Sequence, residues 1–108
     1  MNILSDVSVM KDFADKAGSH YSKQFLEAEY GSRDRAWFGF KTAQSHSVFW
    51  ALAAKENNER LRNPLYAGDD AVSKAERNAI RAESKLYKAR AEEYYAEAEQ
   101  YRREWLSL

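Results

Sequence analysis

The sequence predicts an all-helical fold, a small bundle built on a long antiparallel helical hairpin with two short N-terminal helices packed against it. Three observations predict it. From Asp69 to Leu108 there is neither Pro nor Gly, and the run is crowded with Ala, Glu, Lys and Arg, which lose least entropy in a helix. Between Arg33 and Arg62 only Gly39 weakens a second helical run. The segment ENNERLRNPLYAGDD joins the two. There Pro64 pushes the preceding residue out of helical geometry, and Gly68 with Asp69 and Asp70 gives a turn and a cap whose carboxylates suit the positive helix end.

Taken in order, Ser5 caps a first helix over 5–17, with Val7, Met10, Phe13, Ala14 and Ala17 on one face and Gly18 just past its end. Ser19 caps a second over 20–30, where Tyr21, Phe25 and Ala28 form a row and Gly31 stops it. A single helix kinked at Gly18 is the alternative. Ser32 then caps the helix over 33–62. Its apolar row is Ala36, Phe40, Ala43, Ser47, Trp50, Ala54 and Leu61, and VFWALAA, the most apolar stretch, is the expected buried spine. AWFGF has strand-like composition, but no second strand is present to pair with it. Leu65 and Tyr66 should pack the connecting loop down.

The last helix, over 69–107, carries a heptad stripe. Ile80, Tyr87, Tyr94, Tyr101 and Leu108 recur every seven residues, and Ser84, Ala91, Ala98 and Trp105 recur between them. Small residues let a neighbour approach and aromatic ones fill the space. A second row, Val72, Ala75, Ala79, Ala82, Leu86 and Ala89, lies beside the first, so the apolar face is wide enough for two neighbours. Lys74, Arg77, Arg81, Lys85 and Lys88 share one flank, which Glu92 and Glu99 continue with the opposite sign. Two copies crossing antiparallel near Ala89 to Ala91 would match basic half to acidic half.

At 108 residues the chain is one domain. Its 17 Lys and Arg balance 17 Asp and Glu, so no overall field draws it to nucleic acid or to an anionic membrane. The absence of Cys excludes a disulfide framework and thiolate chemistry. No apolar run reaches the roughly 20 residues of a membrane span, and the first residues do not form a signal peptide, so the expected location is cytoplasmic.

The chemistry motifs are missing. Gly18, Gly31, Gly39 and Gly68 are too scattered to cradle phosphate, and neither His20 nor His46 has the Glu three residues earlier that di-iron bundles use. His46 stands between Ser45 and Ser47, but adjacent helical residues point in different directions. Lys41 occupies the place ahead of His46 where helical ribonucleases with an Arg–His pair carry Arg. Glu92 with Glu93, and Asp69 with Asp70, are explained by a solvated face and a cap. No catalytic residue, metal site or cofactor is expected.

A surplus of Tyr, Trp and Arg points instead to work by contact, since these side chains carry binding energy at protein interfaces. The expectation is a non-enzymatic protein-binding module, a homodimer that occupies a surface of a larger protein or complex. In size and composition it is similar to small inhibitors and adaptors such as phage-encoded anti-defence proteins. Tyr87, Ala91, Tyr94, Ala98, Tyr101 and Trp105 are the expected self-interface, and Arg33, Arg35, Trp37, Tyr95 and Arg102 the expected partner surface. The alternative is a nucleic-acid-binding accessory protein using Lys74, Arg77, Arg81, Lys85 and Lys88.

Overall fold

Alanine lines the places where the helices touch. A computed structural model describes residues 6–108 and contains three α-helices, α1 (Asp6–Glu27), α2 (Arg33–Leu61) and α3 (Ala71–Ser107), with a 3-10 turn over Pro64–Tyr66. No strand occurs among the described residues. AWFGF is therefore helical, inside α2.

The expected pair of short N-terminal helices is one helix. Gly18 does not end it but lies buried inside it, where an added Cβ would stand 3.2 Å from His46 Cε1. The residue serves close approach to α2 and not termination. Ser19 is accordingly an interior residue and caps nothing, and the expected cap at Ser5 lies outside the described residues. The chain leaves α1 at Glu27, and Gly31, at φ +77°, takes the left-handed conformation that a side chain would oppose. Ser32 then caps α2, its hydroxyl accepting from the Arg35 N–H at 3.1 Å, and Asp70 caps α3 by accepting from Ser73 N–H at 3.0 Å.

Contacts between α2 and α3 pair rising numbers on one with falling numbers on the other: Trp37 with Trp105, Ser47 with Ala91, Trp50 with Tyr87 and Asn57 with Glu83. The two run antiparallel. α1 runs antiparallel to α2 in the same way, with Lys11 at Glu56 and Arg35 at Phe25. The α2–α3 interface is tied by polar bonds from short side chains. Ser47 Oγ donates to the Ala91 carbonyl at 2.8 Å, Ser84 Oγ to the Ala54 carbonyl at 3.3 Å, and the buried Asn57 donates to Glu83 at 3.0 Å. Among the described residues, every buried side-chain polar atom has a partner.

The core is thin. Its buried apolar residues are Val7, Ala14, Ala36, Ala43, Ala53, Ala54, Ile80, Ala91 and Ala98, and among the described residues no large side chain is fully enclosed. VFWALAA is thus not a spine throughout: Ala53 and Ala54 are buried, while Val48 and Ala51 are exposed. Leu65 does not pack down either, being 80% exposed; what holds the loop is Arg77, whose guanidinium donates to the Tyr66 and Gly68 carbonyls at 2.6 Å each.

Ser45, Phe49 and Glu56 meet α1, and Ser47, Trp50 and Ala54 meet α3. At about 100° per residue these two rows are roughly two-fifths of a turn apart on α2, about two and a half times the separation in a closed triangle of helices. The three helices therefore splay around α2. The Cα radius of gyration of 17.5 Å and extents of 57 × 30 × 18 Å agree, against about 13 Å for a compact chain of this length.

Candidate protein-binding surface

On the outer side of the α1–α2 contact, an apolar groove of about 460 Å³ stays open. α1 contributes Val9, Met10, Phe13, Ala14, Ala17 and Tyr21; α2 contributes Lys41, Gln44, Ser45, Val48 and Leu52. Local sequence makes it. Small side chains at Ala14, Ala17 and Ser45 leave a trough, and the larger Phe13, Met10 and Leu52 stand along its sides. Phe13 is 74% exposed, and Val9 and Met10 are more than half exposed. Exposed apolar side chains clustered on one face are a feature that interaction surfaces share.

Lys41 is the charged residue of the lining. Its ammonium lies 5.6 Å from the centroids of both Tyr21 and Trp37 and donates to Gln44 Oε1 at 3.2 Å, with no carboxylate in ion-pair range among the described residues. The inner edge of α1 is different. There Ser8 and Lys11 both donate to Glu56, at 2.7 and 2.8 Å, and these bonds hold its carboxyl below the usual range. Glu83 is held low mainly by the Asn57 hydrogen bond.

The heptad seam of α3 faces α2 of the same chain. Ala91 and Ala98 are buried, Tyr87 stacks on Trp50, Tyr94 on His46 and Trp105 on Trp37, at centroid distances of 5.2, 5.0 and 5.1 Å. Tyr101 reaches Phe25 of α1 at 5.7 Å and presses on Gly39. Burial pushes the Tyr87 and Tyr101 hydroxyls up. The six residues expected at a self-interface are thus largely occupied within one chain, with Tyr87, Tyr94, Tyr101 and Trp105 half-buried. The second row is the exposed one, with Val72 and Leu86 more than half exposed.

The expected partner residues are not brought together as one patch. Arg33 stacks over Trp105 at 4.7 Å, beside Trp37. Arg35 is taken up internally: it covers Phe25 and Tyr30 and donates to the Phe25 and Ala28 carbonyls, closing the turn between α1 and α2. Arg102 pairs with Glu99 at 3.2 Å, and Tyr95 is 62% exposed. Of the basic stripe, Lys74, Arg81, Lys85 and Lys88 are exposed, whereas Arg77 is committed to the loop carbonyls. His46 is wedged between Gly18 and Tyr94, and among the described residues no cluster of His, Asp and Glu is arranged to hold a metal.

The sequence reading missed the groove. Met10, Phe13, Ala14 and Ala17 already share one face in the sequence, but that this face stays open beside α2 depends on how the two helices pack. Compared with known protein families, curated proteins and solved structures, the chain matches none.

Proposed function

We propose that this chain is a non-enzymatic protein-binding module that works as a homodimer and occupies a surface of a larger protein or complex, as a small inhibitor or adaptor does. The observation that carries this reading is the open apolar groove on α1 and α2, with Phe13 projecting beside it. Leaving such a cluster in water is unfavourable by about 25 cal/mol per Å² of apolar area, which association would recover. A second contact region for the outside partner is the aromatic and cationic end formed by Arg33, Trp37 and Trp105. The fold supports the same role, since a scaffold whose helices splay around α2 presents two broad faces.

The test couples mass to binding. Light scattering should give twice 12.5 kDa for the wild type. Tagged wild type and a Trp37→Ala, Trp105→Ala double variant are then compared for proteins captured from the source cells, with helicity checked by circular dichroism. A partner retained by the wild type and lost from the folded variant supports the module. A folded wild type that retains nothing above background defeats the partner half of the reading.

A further inference from the structure

Resting on the homodimer reading above, we infer that the α1–α2 groove is the seat of the second copy, antiparallel, so that α1 and α2 of both copies close one four-helix bundle. The angular layout of the rows supports this first. α1 meets α2 through Lys11, Ala14 and Gly18. Its row Asp6, Met10, Phe13, Ala17 and His20 lies about a third of a turn away. On α2, the row Lys41, Gln44, Val48 and Leu52 lies about a quarter turn from Ser45, Phe49 and Glu56, which face α1. The two angles together make about half a turn, so both rows open on the same side of the pair, as they do in one half of a four-helix bundle. A second pair, turned over by a two-fold axis across the groove, supplies the other half.

Self-complementarity selects the chain itself as occupant. The α1 row advances by four, three, four and three residues, the a and d spacing of a coiled coil. With the two-fold near Asp15, Phe13 of each copy lies against Ala17 of the other, large against small, and the contact occurs twice. Because Lys11 is level with Phe49 and Glu56, and Gly18 with Ser45, the same axis passes near Val48 on α2. Val48 then faces its own counterpart.

Charge fixes the direction. Asp6 is exposed and, among the described residues, has no cation in ion-pair range; Lys41 has no carboxylate. Antiparallel seating carries Asp6 of the second copy to the level of Gln24, the end of the groove where Lys41 stands beside Tyr21. Each copy thus offers a carboxylate without an ion-pair partner to an ammonium of the other that has none among the described residues. Parallel seating would set Asp6 beside Asp6 and leave both lysines unmatched.

The absence of cysteine makes the test clean. Val48→Cys and, as a control on the exposed row of α3, Ala82→Cys are each treated with a short bis-maleimide. Dimer affinity is measured by analytical ultracentrifugation for Asp6→Lys, Lys41→Asp and the double exchange. The expected result is covalent dimer from Val48→Cys and not from Ala82→Cys. Each single charge reversal should weaken the dimer about tenfold or more, and the double exchange should restore it. A dimer that is joined through Ala82→Cys and not through Val48→Cys overturns the assigned face while the homodimer reading stands. A wild type that is monomeric at every concentration overturns both and leaves the groove to a helix of another protein.

Discussion

Two glycines that look alike in the sequence do opposite things to stability. At Gly39 a Cβ would fall 2.7 Å from the Cδ1 and Cε1 atoms of Tyr101, so the ring itself has to move. The overpacking cost of about 1–3 kcal/mol outweighs the helix-propensity gain of about 1 kcal/mol, and Gly39→Ala is expected to destabilise the fold. Urea unfolding measures this, and a Gly39→Ala, Tyr101→Leu double variant should recover part of the loss because the two sites are one contact. At Gly18 the nearest atom is 3.2 Å away, on a His46 ring that is only half-buried and can give by tenths of an ångström. There the propensity gain prevails. Gly18→Ala should raise stability by up to about 1 kcal/mol, and a loss in the same urea experiment would mean that Tyr94 locks the ring in place.

At the scale of the helix, a polar staple adds to the modest apolar burial of α1, of whose apolar side chains only Val7 and Ala14 are buried. Glu56 accepts from both Ser8 and Lys11, and its folded pKa is lowered chiefly by the Lys11 bond, then by Ser8. A lowered carboxyl contributes stability that is present above its unfolded pKa and is lost as pH falls through the folded value. Wild type should therefore exceed Glu56→Gln at neutral pH, by less than about 1 kcal/mol for so accessible a pair, and the gap should close below the usual carboxylate range. Thermal melts from pH 7 down to 3 test this; a gap that widens in acid would contradict the staple. Much at this scale was legible in the sequence. The α2 and α3 runs, the caps at Ser32 and Asp70 and the inward pattern of Ala91 and Ala98 all follow from local rules that the packing leaves intact. What was not legible depended on neighbours. Whether Gly18 ends a helix or admits a facing side chain turns on where His46 lies, and that is a property of tertiary contact. The same holds for the tyrosine seam. Its spacing announces a packed stripe but does not say whether the neighbour is α2 or a second molecule, and the two were distinguishable only once Trp50, His46 and Trp37 were found against it.

For the molecule as a whole, the core is thin and the outline long, and under the proposed dimer stability would depend on association. Three splayed helices meeting through alanine bury little apolar surface per residue, and Phe13, Met10 and Val9 remain in water on an isolated chain. Closing the groove with a second copy would bury these side chains at no additional cost in folding the backbone, because α1 and α2 already hold the required faces. Anything that binds only the folded state stabilises it by mass action, so a folded dimer unfolding to two chains gains about 1.4 kcal/mol per tenfold rise in concentration, counted per dimer. The melting temperature of the wild type should accordingly climb steadily from micromolar to hundreds of micromolar protein. Phe13→Asp places a charge at the centre of the proposed contact, on a side chain that is three-quarters exposed in the single chain, and so spares the fold while opposing the dimer. Its melting temperature should not change with concentration and should fall below that of the wild type increasingly as both are concentrated. Equal and concentration-independent melting of the two proteins would place the stabilising contacts inside one chain and remove the groove from the account of stability.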